Sequence, residues 1–320
     1  MNEQLIVTTS PHFKHPKTTT MIMLDVLIAL TPAAIAAVVI HGWYALVMIA
    51  VTMTAAVGSE FIFNLIVKKE QTVRDLSAAV TGLLLALNLP TSAEIWHCIV
   101  GGVFAIVIVK CVFGGIGCNF ANPAITARVF LVISFVGVGG GKLAGSAILG
   151  NHVDLVGGAT PLEVIASGAL PSELPSLLEM FLGVRGGAIG EGCIAALLVG
   201  GIYLIARGII NWEIPTAFLA TVFLLSWLVT GELVTAIYLV MAGGAVIAAF
   251  FMITDYSTTP ITRLGKLVFA VGAGLLTVLI RFFGSYPEGV SFAVLIMNIL
   301  SPYIERLTKK RPFGGVKNEK

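Results

Sequence analysis

The chain has 320 residues, 57% of them hydrophobic and 11% charged, with a mean hydropathy of +0.98 and a formal net charge of +2. A soluble domain is about a quarter charged, so this composition excludes an ordinary water-soluble protein, and so small a net charge carries no footprint of a nucleic-acid partner. Apolar stretches of about 15 to 24 residues, separated by short polar or Gly/Pro-bearing connections, predict helices crossing a lipid bilayer many times; a barrel would alternate instead.

Taken in chain order, residues 1–20 are polar, contain Pro11 and Pro16 and lack the apolar core of a secretory signal, so they read as a cytoplasmic tail. Spans are expected near 22–40, 44–67, 76–90, 95–111, 125–138, 187–206, 215–230, 235–253, 267–283 and 290–304, ten in all. With the N-terminus inside, the inner connections and the two tails, including the basic tail 305–320, collect sixteen of the nineteen Lys and Arg. Only Lys142, Arg185 and Arg281 fall outside, while Arg128 counts as an inner charge. The expectation is an all-α integral membrane protein, a single membrane domain over 1–320 with both termini cytoplasmic. The third, fifth and seventh spans are shorter than the roughly 20 residues of a straight crossing, which favours helices that stop at midplane or lie buried in the bundle. The longest connection, 139–186, then lies on the outer face. It is acidic, with Asp154, Glu163, Glu173 and Glu179, and its glycines and prolines predict a loop with short helices.

Four places carry candidate chemistry. In the outer connection, Asp154-Leu-Val-Gly-Gly-Ala-Thr-Pro-Leu162 sets Thr160 before Pro161 and Glu163, the pattern of a capping box. The small residues Gly157, Gly158 and Ala159 leave the Thr160 hydroxyl unshielded, so a phosphate ester there is compatible with the cap. In Gly114-Gly-Ile-Gly-Cys-Asn-Phe-Ala-Asn-Pro-Ala-Ile-Thr-Ala-Arg128, the amides of Asn119 and Asn122 can present donors and acceptors to a planar polar ligand, or an Asn-Pro turn can satisfy its own backbone. Glu60 lies within the second span, where a carboxylate is costly unless it meets a cation, a proton or a partner, and Asn64 lies one turn away. Asp255 closes the eighth span, where it reads as a helix-end acid, and Asp25 is expected to be a cap-like acid in the first turn of the first span.

The Thr160 motif resembles the flavin-attachment motif of the family of membrane redox subunits found in Rnf complexes and in the sodium-translocating NADH:quinone reductase. The asparagine stretch and Phe251-Met-Ile-Thr-Asp-Tyr-Ser-Thr-Thr-Pro260 also resemble that family, with Tyr256 in place of a proline; Gly157 stands where the family commonly has Ser. The resemblance implies FMN bound covalently to Thr160 and a noncovalent riboflavin beside Asn119 and Asn122. It also implies an ion path touching Glu60 and Asp255. It further implies electron transfer between ferredoxin and NAD coupled to Na+ or H+, partner subunits A, B, C, E and G bearing the iron–sulfur and NAD sites, an FMN transferase, and residence in the cytoplasmic membrane of a prokaryote. The short N-terminal tail favours the Rnf branch over the quinone reductase branch. Arg185 is expected to snorkel at the outer interface, with a flavin phosphate as the alternative contact.

Cys98, Cys111, Cys118 and Cys193 have no CxxC pairing and the five His are scattered, so no metal site is expected. No P-loop or dinucleotide fingerprint is present. Composition alone does not exclude the alternative of a flavin-free solute channel or transporter in which Thr160 caps a helix and Glu60 lines a path.

Overall fold

The computed structural model describes residues 18–135, 160–166, 174–183, 185–284, 286 and 288–309. Helix α1 (Thr19–His41) is capped by Thr18, whose hydroxyl accepts from the Met21 amide at 3.3 Å. Pro32 deprives the Ile28 carbonyl of its helical donor, and the Thr31 hydroxyl takes that carbonyl at 2.6 Å. A single residue, Gly42 at φ +76°, turns the chain into α2 (Trp43–Val67). The short α3 (Ser77–Leu87) is buried along its whole length. Its Gly82 lies so close to α2 that a Cβ would come within 2.8 Å of the Met53 Cα. Helix α4 (Ile95–Val103) runs on as a π-helix over Phe104–Cys111, and α5 spans Pro123–Ser134.

Two six-residue helices, α6 (Pro161–Ala166) and α7 (Leu177–Leu182), belong to the long connection. The rest comprises α8 (Ile194–Ala206), α9 (Glu213–Thr230), α10 (Leu233–Met241), α11 (Ala245–Ile247, continued as a π turn over Ala248–Met252), α12 (Arg263–Phe283) and α13 (Val290–Thr308). Among the described residues no strand forms; Pro90 and Ala188 make one isolated antiparallel bridge.

Helices α1, α2, α9, α12 and α13 are long and apolar enough to cross a membrane, and α10 with α11 would form a sixth crossing bent by 64°. Ile35, Leu65, Ile202, Leu228 and Phe283 face outward, while Asp25, Thr52, Glu60, Asn64, Thr277 and Asn298 are buried. Large apolar side chains outside and polar groups inside are what a lipid solvent selects, so the chain is an all-helical integral membrane protein.

Each expected span within the described residues contains a helix, with three differences. The seventh, expected to be short, is the full 18-residue α9. The eighth, expected to be continuous, breaks at Ala242–Gly244, where Gly243 and Gly244 take φ +65° and +69° and end α10. The sixth starts at Ile194, because the preceding segment folds over the end of α3. There the Ile189 and Gly190 amides donate to the Leu89 and Leu87 carbonyls at 3.0 and 2.8 Å. Residues 1–17, 136–159 and 310–320, hence Gly157, Gly158, Ala159 and most of both tails, lie outside the described residues.

Candidate functional site

A cleft forms where helices stop inside the bundle. The start of α3, the start of α5 and the turn after α11 converge on it, and Ser77, Lys110, Asn119, Asn122 and Asp255 line its polar side against Ile22, Leu204 and Phe251. Asn122 is the N-cap of α5, its Oδ1 accepting from the Ala124 and Ile125 amides at 3.0 and 3.4 Å, while its Nδ2 donates to Asp255 Oδ2 at 3.3 Å. Asn122 thus caps α5 and lines the cleft with one side chain. Asp255 Oδ2 also accepts from the Ser257 and Thr258 hydroxyls at 3.0 and 3.1 Å. Burial pushes its carboxyl above the usual range, and these hydrogen bonds oppose the shift. Asn119 Oδ1 is buried with no partner, an acceptor awaiting a donor in the cleft.

Next to the cleft sits Glu60, 1% exposed. Its Oε1 accepts from Lys110 Nζ at 2.8 Å and from the Thr72 hydroxyl at 2.7 Å, while its Oε2 is buried without a partner. Asn64 joins as expected, but through Thr72, to whose hydroxyl its Nδ2 donates at 3.0 Å. Lys110 also donates to Ser77 Oγ at 2.5 Å, and Ser77 Oγ donates to Asp75 Oδ1 at 2.5 Å. The π-helical continuation of α4 carries Lys110 inward, where it is 2% exposed.

Thr160 occupies a second, small pocket. Its hydroxyl accepts from the Glu163 amide at 3.3 Å and Glu163 Oε2 accepts from the Thr160 amide at 2.7 Å, the expected capping box. Leu162 is buried against Gly243 at the break between α10 and α11, and Arg185, Glu191 and Glu288 close the pocket. Arg185 corrects an expectation: it does not snorkel but is 4% exposed, donating to the Glu191 carbonyl at 2.8 Å with Nε unpartnered. Burial lowers its pKa, and the Glu191 charge opposes that.

Around this pocket lie residues that pattern reasoning missed. Arg128 is not an inner-connection charge; it sits within α5, donating to Asn88 Oδ1 at 2.9 Å and pairing with Glu288. Burial raises the Glu288 carboxyl and the Arg128 charge lowers it. Arg281 likewise turns inward, donating to the Leu239, Ala242 and Gly243 carbonyls that the break in α10 leaves free. An arginine inside an apolar run was the available signal. Asp25 is also not a cap: it accepts from Tyr203 at 2.9 Å and pairs with Arg207 at 3.2 Å, tying α1 to α8. Among the described residues no three His, Cys, Asp or Glu gather as a metal site, and Cys98, Cys111, Cys118 and Cys193 are free.

The structure thus brings Asn119, Asn122 and Asp255 together, sets Glu60 one side chain away through Lys110, and holds Thr160 in a separate pocket. The model of the NQR2, RnfD, RnfE family matches residues 6–314. The D subunit of the Na(+)-translocating ferredoxin:NAD(+) oxidoreductase complex of Acetobacterium woodii is 44% identical, covering 100% of this chain and 99% of the relative. Its proton-translocating counterpart in Clostridium ljungdahlii is 39% identical over 96% of each chain. The D subunit of the ion-translocating oxidoreductase complex of Escherichia coli K12 is 34% identical, over 96% of this chain and 98% of the relative. With similarity running across nearly the whole length, the chain belongs to the NQR2, RnfD, RnfE family.

Proposed function

We propose that the chain is the D-type membrane subunit of an Rnf ion-translocating ferredoxin:NAD+ oxidoreductase, holding FMN as a phosphoester on Thr160 and riboflavin in the cleft at Asn119 and Asn122. The relatives' names support the complex. The observation that carries the flavin reading is the pairing of two prepared places, a capping threonine beside the buried, unpartnered Arg185 Nε, and a cleft with the unpartnered Asn119 Oδ1. Both fit their groups. An ester oxygen on Thr160 still accepts from the Glu163 amide, so attachment keeps the cap, and a ring imide or ribityl hydroxyl supplies the donor that Asn119 lacks.

A bound flavin supplies electron transfer; the protein's part is to fix its depth and surroundings. Asn122 and Asp255 hold the cleft's shape, Asn119 would orient its occupant, and Arg185, which lines the same pocket as Thr160, would supply positive charge to a phosphate there. Electrons pass between partner subunits A, B, C, E and G, which carry the iron–sulfur and NAD sites, and the redox step drives Na+ or H+ across the membrane. The broken and short helices fit ten crossings with both termini in the cytoplasm, in the cytoplasmic membrane of a prokaryote. An FMN transferase performs the attachment.

Intact mass and in-gel fluorescence of the denatured chain, produced with an active FMN transferase, test this. One added FMN that vanishes in Thr160→Ala is the expected result. An unmodified, colourless chain beside a flavinylated control substrate would point instead to a flavin-free transporter.

A further inference from the structure

Lys110 belongs to two neighbourhoods at once. Its ammonium is held by Glu60 Oε1 at 2.8 Å and Ser77 Oγ at 2.5 Å, yet Lys110 and Ser77 are also walls of the cleft that contains Asn119, Asn122 and Asp255. Both members of the Lys110–Glu60 pair are almost wholly buried, at 3% and 1% side-chain exposure. Around the pair, Asp75, bonded through Ser77, adds a second carboxylate and Lys69 a second ammonium acting on the same Cys111 thiol, yet Glu60 Oε2 has no donor at all. A route to it exists on the other side, because Thr72, which donates to Glu60, is an exposed residue of the loop after α2.

We propose that Lys110 is a tethered cation shared between the cleft and Glu60: when negative charge enters the cleft, the ammonium turns toward it and Glu60 takes up one monovalent cation by way of Thr72. This deepens the flavin reading of the cleft and rests on it. The lysine stem is flexible and its head a compact charge, so it moves between acceptors by rotamer change alone. A carboxylate this deeply buried does not stay unpaired, so release by Lys110 and capture of a cation are one event. The step balances. One electron would arrive from a reduced flavin or iron–sulfur centre of the complex, which is oxidised as the riboflavin that Asn119 and Asn122 would hold accepts that electron. No covalent bond between heavy atoms forms or breaks, Lys110 keeps its protons, and the charge uncovered at Glu60 is matched by one Na+ or H+.

Linkage makes the proposal measurable: if reduction of the cleft strengthens cation binding at Glu60, the cation must raise the electron affinity of the cleft by the same factor. The test uses the intact complex, with wild type, Lys110→Met, Lys110→Arg, Glu60→Gln and the double variant Glu60→Gln/Lys110→Met. The double variant removes both charges together, so a fold damaged by an orphaned Glu60 does not obscure the result. The readouts are the noncovalent riboflavin released on denaturation and the midpoint potential of that flavin, titrated with Na+ at fixed pH and with pH at fixed Na+. In wild type the potential rises with whichever cation the site takes, so the two titrations separate Na+ from H+. In Lys110→Met and the double variant the potential falls by roughly tenfold in electron affinity, about 59 mV for one electron, and no longer responds to cation. Lys110→Arg keeps a positive charge beside the cleft but not the compact head that turns, so its cation response weakens, and Glu60→Gln loses that response. Riboflavin retained in Lys110→Met or the double variant at the wild-type potential and cation response would overturn the shared-cation role alone. A cation response that survives in Glu60→Gln would do the same. Wild-type complex that releases no riboflavin would overturn the cleft assignment together with it.

Discussion

Asn122 and Asp255, 133 residues apart in sequence, are joined by a side-chain hydrogen bond of 3.3 Å, and the bond latches the start of α5 to the turn that follows α11. Each end of the latch also does local work: Asn122 caps its helix and Asp255 gathers the Ser257 and Thr258 hydroxyls. The cleft therefore takes its shape from two helix ends that are held to each other, and neither end is free to drift toward lipid.

The two duties of Asn122 separate in Asn122→Ser. Serine is as good an N-cap as asparagine, so helix stability is expected to hold, whereas Asn122→Ala should cost about 1 kcal/mol. Both variants lose the amide that reaches Asp255. Noncovalent flavin released on denaturation should fall in both, and the thermal midpoint should fall only in the alanine variant. Full flavin content in Asn122→Ser would reduce Asn122 to a structural cap.

Gly243 couples the break in α10 to Thr160. A Cβ there would lie 2.3 Å from Leu162 Cδ1 and 2.8 Å from Arg281 Nη2, on a backbone already at φ +65°. Gly243→Ala therefore adds about 1 to 2 kcal/mol of left-handed strain and pushes Leu162, and with it α6, away from the bundle. Covalent fluorescence at Thr160 is expected to drop while riboflavin content holds. Equal loss of both flavins would show that the substitution unfolds the bundle rather than moving α6.

What the sequence made legible follows from what one dimension can carry. Apolar runs mark helices wherever lipid faces them, so α1, α2, α12 and α13 were all expected near where they lie, and the capping box at Thr160 is a purely local pattern. The break at Gly243 was hidden because paired glycines inside apolar runs are ordinary in membrane helices. The inward arginines were hidden for a topological reason. Arg128 and Arg281 look like connection charges until α3 and α10 are seen to end inside the bundle, where Asn88 and three free carbonyls need donors. Lys110 was hidden in the same way, since its partner Glu60 is 50 residues away.

Arg128 also sets the protonation of Glu288. Burial already raises that carboxyl, and the guanidinium works against the rise. Arg128→Met removes the opposing charge, so the folded-state pKa climbs further above the unfolded value. A folded state that holds the proton more tightly is favoured below the unfolded pKa and loses that advantage as pH rises through the folded one. The thermal midpoint of Arg128→Met complex in detergent should therefore decline more steeply with rising pH than wild type, and Arg128→Met/Glu288→Gln should flatten the slope. A slope unchanged in Arg128→Met would mean that Glu288 does not titrate against Arg128.

The close approach of α8 to α1 gives a contrast between two glycines. At Gly200 a Cβ would fall 2.0 Å from the Ala29 carbonyl oxygen and 3.1 Å from Phe251 Cζ, and the backbone atom cannot yield as a flexible side chain would. Gly58 in α2 has nothing within 4 Å of the same position. Gly58→Ala should be neutral or stabilising by about 0.5 to 1 kcal/mol, since alanine gives up less chain entropy in a helix. Gly200→Ala has to push α8 off α1, straining the Asp25–Arg207 pair that joins the same two helices and moving Phe251 at the wall of the cleft. A lowered thermal midpoint and reduced riboflavin content are expected for Gly200→Ala alone. The two glycines sit in helices of similar apolar character, so if both variants behaved alike, close helix contact would not be what holds the cleft wall in place.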